Sequence, residues 1–234
     1  MSKIPILMYH DVSLHRSEGL TIGISDLEAQ LQYLDKQNYT SYHCKELMHL
    51  TKLDSKNNIV ITFDDGFISQ LELAVPLLKK YNFKATFFIP LKYLGQNDKW
   101  HTNSKNIMTA EMLNTLEPDV IELAYHSYAH DKYHELTKIE IEADISKSFD
   151  VVFSNKLQMT NSLAYPYGKY PKGKTKKKIF IEQLLTHQFQ YGFRIGNRIN
   201  EFPFKNPFEI QRIDVKGEFS LNKFKRHLKW GKLF

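Results

Sequence analysis

The chain alternates between short runs of β-branched or aromatic residues and longer amphipathic stretches. The run NIVITF at residues 58–63 is typical of a buried strand. Residues 68–81 follow it with the apolar spacing of a helix, in which Pro76 predicts a kink. The same pattern predicts strands at residues 4–9, 39–43, 85–89, 120–124, 162–165, 191–195 and 209–215. Strands that alternate with helices indicate βαβ units and a mainly parallel sheet.

Several helix starts are marked by capping residues. Ser25 and Glu28 have the spacing of a capping box at the start of a helix predicted over residues 26–37. Thr137 and Glu140 have the same spacing at the start of a longer helix. Shorter helices are predicted after Thr109, over residues 174–187 and after Ser220.

The number of strands leaves two architectures open. About eight strands in one domain are compatible with a (β/α) barrel or with a doubly wound sheet, and periodicity does not distinguish them. In both folds the active site lies at the carboxyl ends of the strands. A chain of 234 residues favours one domain, or two small ones, and is long enough to bury a core without disulfides. Cys44 is the single cysteine, so no intrachain disulfide is possible.

The charge balance is basic, and the excess lies late in the chain. Lysine and arginine number 32 against 26 acidic residues, a net charge of +6. Six lysines lie within residues 169–178, and further basic residues follow within 216–232. A basic stripe can bind nucleic acid or an anionic surface. Because no zinc finger, RNP-type motif or clear helix-turn-helix accompanies the charge, we expect a solvated loop and helix face and no nucleic-acid partner.

The first residues, MSKIPILMYHDVS, contain an apolar run too short for a signal peptide and no small-residue cleavage site. No stretch approaches the length of a membrane span. The printed sequence therefore predicts a cytoplasmic protein, although a trimmed exported form would have the same pattern.

Polar residues follow three of the predicted strands, and the first group is TFDDG. Its two adjacent carboxylates, Asp64 and Asp65, disfavour each other's ionisation unless a cation or donor lies between them. Because successive side chains diverge, one carboxylate can hold a metal while the other faces a substrate. Gly66 permits a sharp turn. An ordinary Asp-Gly turn with a helix cap explains this segment equally well.

The second group is HSYAH, with His126 and His130 four residues apart. Side chains at this spacing lie on the same side of a helical turn, and imidazole is a common ligand for zinc. Either histidine alone would be interpreted as a core or surface residue. Together with Asp65 they form a set of two imidazoles and one carboxylate, which leaves an open coordination position typical of a catalytic metal site. His134 is a weaker candidate ligand, because it more naturally belongs to the start of the next helix.

The third group is AYPYG, in which Pro and Gly impose an irregular loop and Tyr165 and Tyr167 can stack against a sugar. Alone, this segment would be interpreted as a turn with packed aromatic residues. His10 ends the first predicted strand and is expected to point into the same mouth. A hydrogen bond to Asp11 or Ser13 would be the simpler explanation of His10.

In this order, TFDDG, HSYAH and AYPYG resemble the polysaccharide deacetylase family, also called the NodB-homology domain or carbohydrate esterase family 4. The resemblance covers nearly the whole chain and implies a single such domain over residues 1–234. The starting motif MYHDV resembles the branch that contains the poly-N-acetylglucosamine deacetylases of biofilm systems. The resemblance implies a single-domain deformed (β/α)7-type barrel that removes acetyl groups from N-acetylated glycans with the help of a divalent metal, usually Zn2+.

Matching positions carry the family's roles onto this chain. Asp64 would be the general base, and the general acid of the biofilm branch would be His10. The Tyr167 backbone N–H would help to bind the oxyanion. The implied metal ligands are Asp65, His126 and His130, and the implied sugar-site residues are Tyr165, Pro166 and Tyr167.

Two positions depart from the common family pattern. The third motif usually has an arginine that orients the base, and here Ala164 stands in its place. We expect Arg212, at the end of a late strand, to substitute for it, and Asp214 to orient His10. No leucine-x-histidine motif with the usual context is present, and His227 on a lysine-rich helix is a poor replacement.

Three other functions remain compatible with the sequence. One is a catalytically silent carbohydrate-binding relative, which the complete set of acidic and histidine residues disfavours. Another is a hydrolase of a different acylated substrate, such as a lipid-linked sugar or an O-acetylated glycan. A third is a binder of nucleic acid or anionic surfaces through the late lysines, for which binding would depend steeply on salt.

Overall fold

The computed structural model describes residues 1–102 and 104–232. The strands are β1 (Ser2–Ile4), β2 (Ile6–Tyr9), β3 (Asp11–Ser13), β4 (Thr21–Gly23), β5 (Tyr39–Ser41), β6 (Asn57–Asp64), β7 (Ala85–Ile89), β8 (Ile121–Tyr125), β9 (Met159–Ala164), β10 (Tyr191–Ile195), β11 (Asn200–Phe202) and β12 (Ile210–Asp214). The helices are α1 (Ile24–Lys36), α2 (Cys44–Met48), α3 (Val75–Lys80), α4 (Ala110–Asn114), α5 (Lys138–Ser154), α6 (Lys174–Thr186) and α7 (Leu221–Trp230).

Among the described residues, seven strands close into a parallel barrel in the order β2-β12-β10-β9-β8-β7-β6. The barrel closes where β6 pairs with β2, with Thr62 opposite Met8 and Phe63 opposite Tyr9. β5 lies outside the closed ring and pairs with the first residues of β6. The predicted deformed (β/α)7-type barrel is therefore confirmed, and the doubly wound alternative is excluded.

Alternate residues of each strand belong to different apolar layers. Along β6, Ile59, Ile61 and Phe63 pack in the large cluster that includes the helices. Val60 belongs to a smaller cluster with residues of several other barrel strands. Because side chains alternate across a strand, this second cluster fills the barrel interior. Toward the carboxyl end of β6, the inward-facing positions after Val60 are the polar residues Thr62 and Asp64. The barrel interior is therefore polar at the carboxyl ends of the strands and apolar below them.

Local structure departs from the predictions at three points. α1 begins after Gly23 without a side-chain cap, so the capping box predicted at Ser25 and Glu28 is wrong. The predicted kink at Pro76 takes the form of a π-helical turn that precedes α3. The helix after Thr109, which the sequence predicts to end near Glu117, ends at Asn114. By contrast, the capping box of Thr137 and the caps at Thr109 and Ser220 are confirmed.

Within residues 1–102 and 104–232, no helix is both long and apolar enough to cross a bilayer.

Candidate functional site

The site residues predicted from the sequence converge on one cavity of about 220 Å3 at the carboxyl ends of the barrel strands. Those that line it are His10, Asp64, Asp65, His126, His130, Tyr165, Tyr167, Arg212 and Asp214. Asp64 and Asp214 are the last residues of β6 and β12, and His126 directly follows β8. Pro166 is buried in the neighbouring loop and does not line the cavity. Parallel strands bring these positions together because their carboxyl ends meet at one rim.

Asp65, His126 and His130 form a tight group, with their donor atoms within 4.8 Å of one another. The Nε2 atom of His130 lies 3.3 Å from Asp65 Oδ1, and that of His126 lies 3.7 Å from the same oxygen. All three side chains are buried. A carboxylate oxygen and two imidazole nitrogens therefore face a common point without being exposed to bulk water.

The two histidines are not brought together by a helical turn, as the spacing predicted. HSYAH forms a loop in which Ser127 has φ 62° and His130 has φ 59°, both in the left-handed region. Asp65 also has a positive φ, 72°. Left-handed backbone is unfavourable for residues other than glycine and persists where surrounding contacts impose it, often at functional sites.

The contacts that hold this loop come from Asp144, a buried residue of α5 that the sequence analysis missed. Its Oδ2 accepts hydrogen bonds from the backbone N–H groups of Tyr128 at 2.9 Å and Ala129 at 3.3 Å. Its Oδ1 accepts one from the Tyr133 hydroxyl at 2.7 Å. No local pattern marks Asp144, which looks like any acidic residue of an amphipathic helix until the fold buries it.

His126 is held in the tautomer that a metal ligand needs. Its Nδ1 lies 2.8 Å from the Ala164 carbonyl oxygen, which can only accept, so Nδ1 donates. Nε2 therefore keeps a lone pair, and it lies 3.7 Å from Asp65 Oδ1 and 3.7 Å from Asp64 Oδ2. Burial lowers the pKa of His126 to about 4, so the imidazole is neutral at pH 7.

Asp64 is paired with Arg212 in a two-pronged ion pair. The Nη1 and Nη2 atoms of Arg212 donate to Oδ1 and Oδ2 of Asp64, each at 2.6 Å. Arg212 is only 1% exposed, and its Nη1 also donates to Thr62 Oγ1 at 3.2 Å. Burial alone would raise the pKa of Asp64, but the guanidinium outweighs burial and holds that pKa below its ordinary value. The carboxylate is therefore ionised at neutral pH, and the arginine that reaches it comes from β12 and not from the position of Ala164.

His10 also lies near Asp64, with its Nε2 atom 3.9 Å from Asp64 Oδ2. Burial lowers the pKa of His10, and the neighbouring carboxylates oppose that shift. In the described part of the chain, His10 Nδ1 and Asp214 Oδ1 both lack a hydrogen-bond partner. Asp214 instead pairs with Lys216 at 2.8 Å. No hydrogen bond among the described residues therefore supports the predicted orientation of His10 by Asp214. The negative charge of Asp214 instead acts to raise the pKa of His10.

The AYPYG loop presents one exposed ring to the cavity. Tyr167 has φ 56° and ψ 12°, is 44% exposed, and lies with its ring 4.8 Å from that of His130. Tyr165 is fully buried, and its hydroxyl donates to the Phe208 carbonyl at 3.0 Å. The expected sugar-stacking wall of two tyrosines therefore reduces to Tyr167.

The loop between β7 and α4 adds residues that sequence analysis missed. The Trp100 ring stacks on the His130 ring, with centroids 4.0 Å apart and planes inclined by 17°. His101 lines the same cavity, and its Nδ1 is bonded to the buried carboxylate of Asp98. In the sequence, these residues could have been noticed as a tryptophan next to a histidine in the polar segment NDKWH. No predicted strand directly precedes this segment, so the rule that placed the other site residues did not include it.

The donor set formed by Asp65, His126 and His130 fits a divalent metal such as zinc. Neutral imidazole and carboxylate are donors that zinc accepts, and three protein ligands leave a coordination position for water or substrate. Asp65 Oδ1 is buried and, among the described residues, makes no well-aligned hydrogen bond even though two imidazole nitrogens face it. Buried oxygen and nitrogen lone pairs that face one another are unfavourable without a cation between them.

The chain is similar to known proteins in sequence and in fold. The sequence profile of the polysaccharide deacetylase family matches residues 51–179, more than half of the chain. YxkH of Bacillus subtilis (strain 168), a protein named for the same family, is 32% identical over 175 residues, which are 72% of this chain. The chain spans 58% of the length of YxkH. The poly-beta-1,6-N-acetyl-D-glucosamine N-deacetylase of Staphylococcus aureus (strain N315) is 25% identical over 90% of this chain and 73% of its own length.

Solved structures share the fold. The Streptococcus pyogenes deacetylase PplD, solved in complex with acetate, matches with a TM-score of 0.81 and 20% identity over 97% of this chain and 98% of PplD. IcaB from Ammonifex degensii matches with a TM-score of 0.79 and 18% identity over 98% of each chain. With its motifs at the rim of a seven-stranded barrel and more than half of its length matched by the family profile, the chain belongs to the polysaccharide deacetylase family.

Proposed function

We propose that this protein is a metal-dependent hydrolase that removes N-acetyl groups from N-acetylglucosamine-containing poly- or oligosaccharides. We further propose that residues 1–234 form one polysaccharide deacetylase domain. The curated Staphylococcus aureus relative named above supports the choice of substrate class.

One observation carries the proposal: two adjacent buried carboxylates have different partners. Asp64 is paired with Arg212, whereas Asp65 is grouped with two imidazoles. Amide hydrolysis needs both a base and an electrophile beside the same carbonyl group. An ionised Asp64 next to a three-ligand metal site supplies that combination.

A divalent cation at Asp65, His126 and His130 would supply Lewis acidity, lowering the pKa of a water molecule and polarising the acetyl carbonyl. Asp64 accepts the proton of the attacking water, and Arg212 keeps Asp64 ionised and correctly oriented. The Tyr167 backbone N–H donates to the developing oxyanion from its left-handed turn.

His10 protonates the leaving amine. Because burial lowers the pKa of His10, its imidazole is neutral before the reaction begins. The proton that it delivers is the one that Asp64 has taken from the attacking water. Since Asp64 Oδ2 lies 3.9 Å from His10 Nε2, this proton passes between them through one water molecule. In this scheme Asp64 and His10 pass one proton from the water to the amine, so that both end the cycle in their starting states.

Acetate release from N-acetylglucosamine oligomers tests the proposal. The protein is stripped of metal with a chelator and assayed before and after zinc is restored. We expect release only with zinc, and a loss of about 100-fold or more in Asp64→Asn, the range typical of losing a general base. Asp54→Asn, an exposed carboxylate that pairs with Lys52, is the matched control and should behave like the wild type.

Equal release by metal-free protein would contradict the proposed metal dependence. Zinc-dependent release from an O-acetylated glycan alone, with none from the N-acetylated oligomers, would retain the site and overturn the substrate assignment.

A further inference from the structure

A second cavity, of about 580 Å3, lies between the segment after β12 and helix α7. Its basic side chains are Lys216, Lys223, Arg226, His227 and Lys232, and we refer to it as the basic cavity. Asp214 and Lys216 line both the basic cavity and the catalytic cavity, so the two adjoin at this pair. The basic cavity therefore lies next to the catalytic cavity, on the side of Asp214 and Lys216.

The positive charge of the basic cavity is largely uncompensated. Asp214 is its single lining carboxylate within the described residues, and its partner is Lys216 at 2.8 Å. For Lys223, Arg226 and Lys232 the described part of the chain provides no ion pair. The exposed Glu218 does not line the cavity, but its carboxylate is close enough to interact electrostatically with Lys216 and Lys223 and balances part of their charge.

The walls of the basic cavity are held by specific contacts. Asn197 Oδ1 accepts a hydrogen bond from the Asp214 backbone N–H at 2.8 Å, which leaves the Asn197 amide NH2 as a donor. The Lys232 backbone N–H donates to the Asn197 carbonyl at 2.7 Å. Gly231, with φ 67°, packs so closely that a Cβ there would lie 2.7 Å from the Asn197 carbonyl oxygen. The end of α7 is thus fixed against the loop after β10.

An aromatic ring supports two of the basic groups. Lys223 Nζ lies 4.2 Å from the centroid of the Phe219 ring. The His227 ring packs on the same ring, with centroids 4.7 Å apart. His227 Nδ1 is buried and has no hydrogen-bond partner within residues 1–102 and 104–232. The Phe219 ring therefore restricts the positions of Lys223 and His227, whereas Arg226 and Lys232 are exposed at the cavity.

We propose that the basic cavity binds an anionic group, a phosphate or a carboxylate, carried by the glycan next to the sugar that is deacetylated. The preferred substrate is then an acidic N-acetylated glycan and not a neutral one, an inference that rests on the proposed deacetylase function. Guanidinium and ammonium groups bind these anions through charge-assisted hydrogen bonds. A neutral glycan would gain little from unpaired cations beside the catalytic cavity.

Three N-acetylglucosamine oligosaccharides of equal length provide the test. One is neutral, and the other two have a phosphate monoester or a uronic acid on the sugar next to the one that is deacetylated. We expect kcat/KM to be about tenfold higher for the acidic substrates at low salt. Added salt should raise KM for the acidic substrates and leave the neutral one unchanged, since salt screens charge pairs. The phosphate and uronate arms distinguish which anion is preferred.

Two double variants with equal loss of charge on the same helix separate the cavity from general surface attraction. Lys223→Gln with Arg226→Gln removes cavity residues, whereas Lys225→Gln with Lys229→Gln removes residues that do not line it. The first should lose most of the preference for acidic substrates while turnover of the neutral substrate is retained. The second should keep the preference. An equal loss in both variants, or no preference in the wild type, would overturn the inference.

Calorimetric binding to the chelator-treated protein separates this inference from the proposed function. If no substrate is deacetylated, the proposed function fails. A cavity-dependent preference for binding the acidic oligosaccharides would still support the basic cavity. If the cavity variant loses binding to phosphatidylglycerol vesicles but binds all three oligosaccharides as the wild type does, the surface belongs to a membrane contact and the inference is wrong.

Discussion

Asp64 and Asp65 are adjacent and both buried, yet their side chains lie in two halves of the cavity that differ in how charge is balanced. In the Asp64 half, Arg212 donates to both carboxylate oxygens at 2.6 Å. In the Asp65 half, the Nε2 atoms of His126 and His130 face the carboxylate at 3.7 and 3.3 Å. The two halves meet at His126, whose Nε2 atom also lies 3.7 Å from Asp64 Oδ2. The protein neutralises the first half by itself. The second half contains two imidazoles and one carboxylate, an arrangement that a bound cation completes.

This difference explains how two identical side chains can have separate roles. A general base must be ionised but free of metal, and the guanidinium of Arg212 satisfies the first requirement without occupying both lone pairs of each oxygen. A metal ligand must instead leave its charge available for the cation. The four predictions below test the contrast, from the largest expected effect to the smallest.

Replacing Arg212 with methionine should remove the charge balance of the Asp64 half. Removing one partner of a buried ion pair leaves an unpaired charge and typically destabilises a protein by about 3–5 kcal/mol. We expect a loss of that size in the free energy of unfolding, measured in urea, together with loss of acetate release. Adding Asp64→Asn to Arg212→Met should restore part of the stability but not the activity. Unchanged turnover in a folded Arg212→Met protein would remove Arg212 from the mechanism.

In the metal-free protein, the Asp65 half should make the free energy of unfolding depend on pH. His126 has a pKa of about 4 in the folded protein and an ordinary value of 6.5, so between these values the unfolded chain binds a proton that the folded chain excludes. The free energy of unfolding should therefore fall as pH falls through this window, by about 3 kcal/mol for the full shift.

The His126→Gln variant should reduce this slope, leaving the part due to His10, His43 and His227, whose pKa values are also lowered by burial. His49→Gln, an exposed histidine, should leave the slope unchanged. Asp64 affects the free energy of unfolding at a lower pH than His126 does. Because its folded pKa lies below the ordinary 3.8, its contribution is present above that value and lost as pH falls through the folded one. A slope in His126→Gln equal to that of wild type would contradict the pKa assigned to His126.

Zinc should stabilise the protein through the Asp65 half alone. A ligand that binds only the folded state adds about 2.7 kcal/mol at a free concentration 100 times its Kd. The melting temperature of the wild type should therefore rise on adding zinc to the chelator-treated protein. Asp65→Asn should show little rise, whereas a folded Thr62→Val variant, which alters a partner of Arg212, should retain it. An equal rise in Asp65→Asn would place the zinc elsewhere.

Trp100 should have the smallest effect. Its ring stacks on His130, and an aromatic pair of this kind contributes about 1 kcal/mol beyond its buried area. Trp100→Ala should therefore weaken zinc binding about fivefold, while Trp100→Phe, which keeps a ring, should weaken it less. Competition with a chromogenic chelator measures both. Equal zinc affinity in all three proteins would mean that the stacking does not position His130.

The donor types and their arrival at one rim could be predicted from the sequence. NIVITF reads as a strand in isolation, and polar residues directly after parallel strands must meet at the carboxyl edge of the sheet. That geometric rule is enough to group Asp64, Asp65 and His126 without any knowledge of long-range contacts. The barrel itself followed from the family resemblance, since alternation of strands and helices suits an open sheet equally well.

Tertiary structure decided what touches these donors. Arg212 reaches Asp64 across 148 positions of sequence, and Asp144 is 16 positions from the Tyr128 N–H that it binds. Tertiary contacts also impose left-handed backbone on Ser127 and His130, against the helical turn that their spacing predicted. The periodicity of apolar residues predicts which face of a helix or strand is buried. It does not predict which distant side chains will pair, or where such contacts will strain the backbone. The candidate site residues could therefore be identified from the sequence, whereas their charge, tautomer and orientation depended on closure of the barrel.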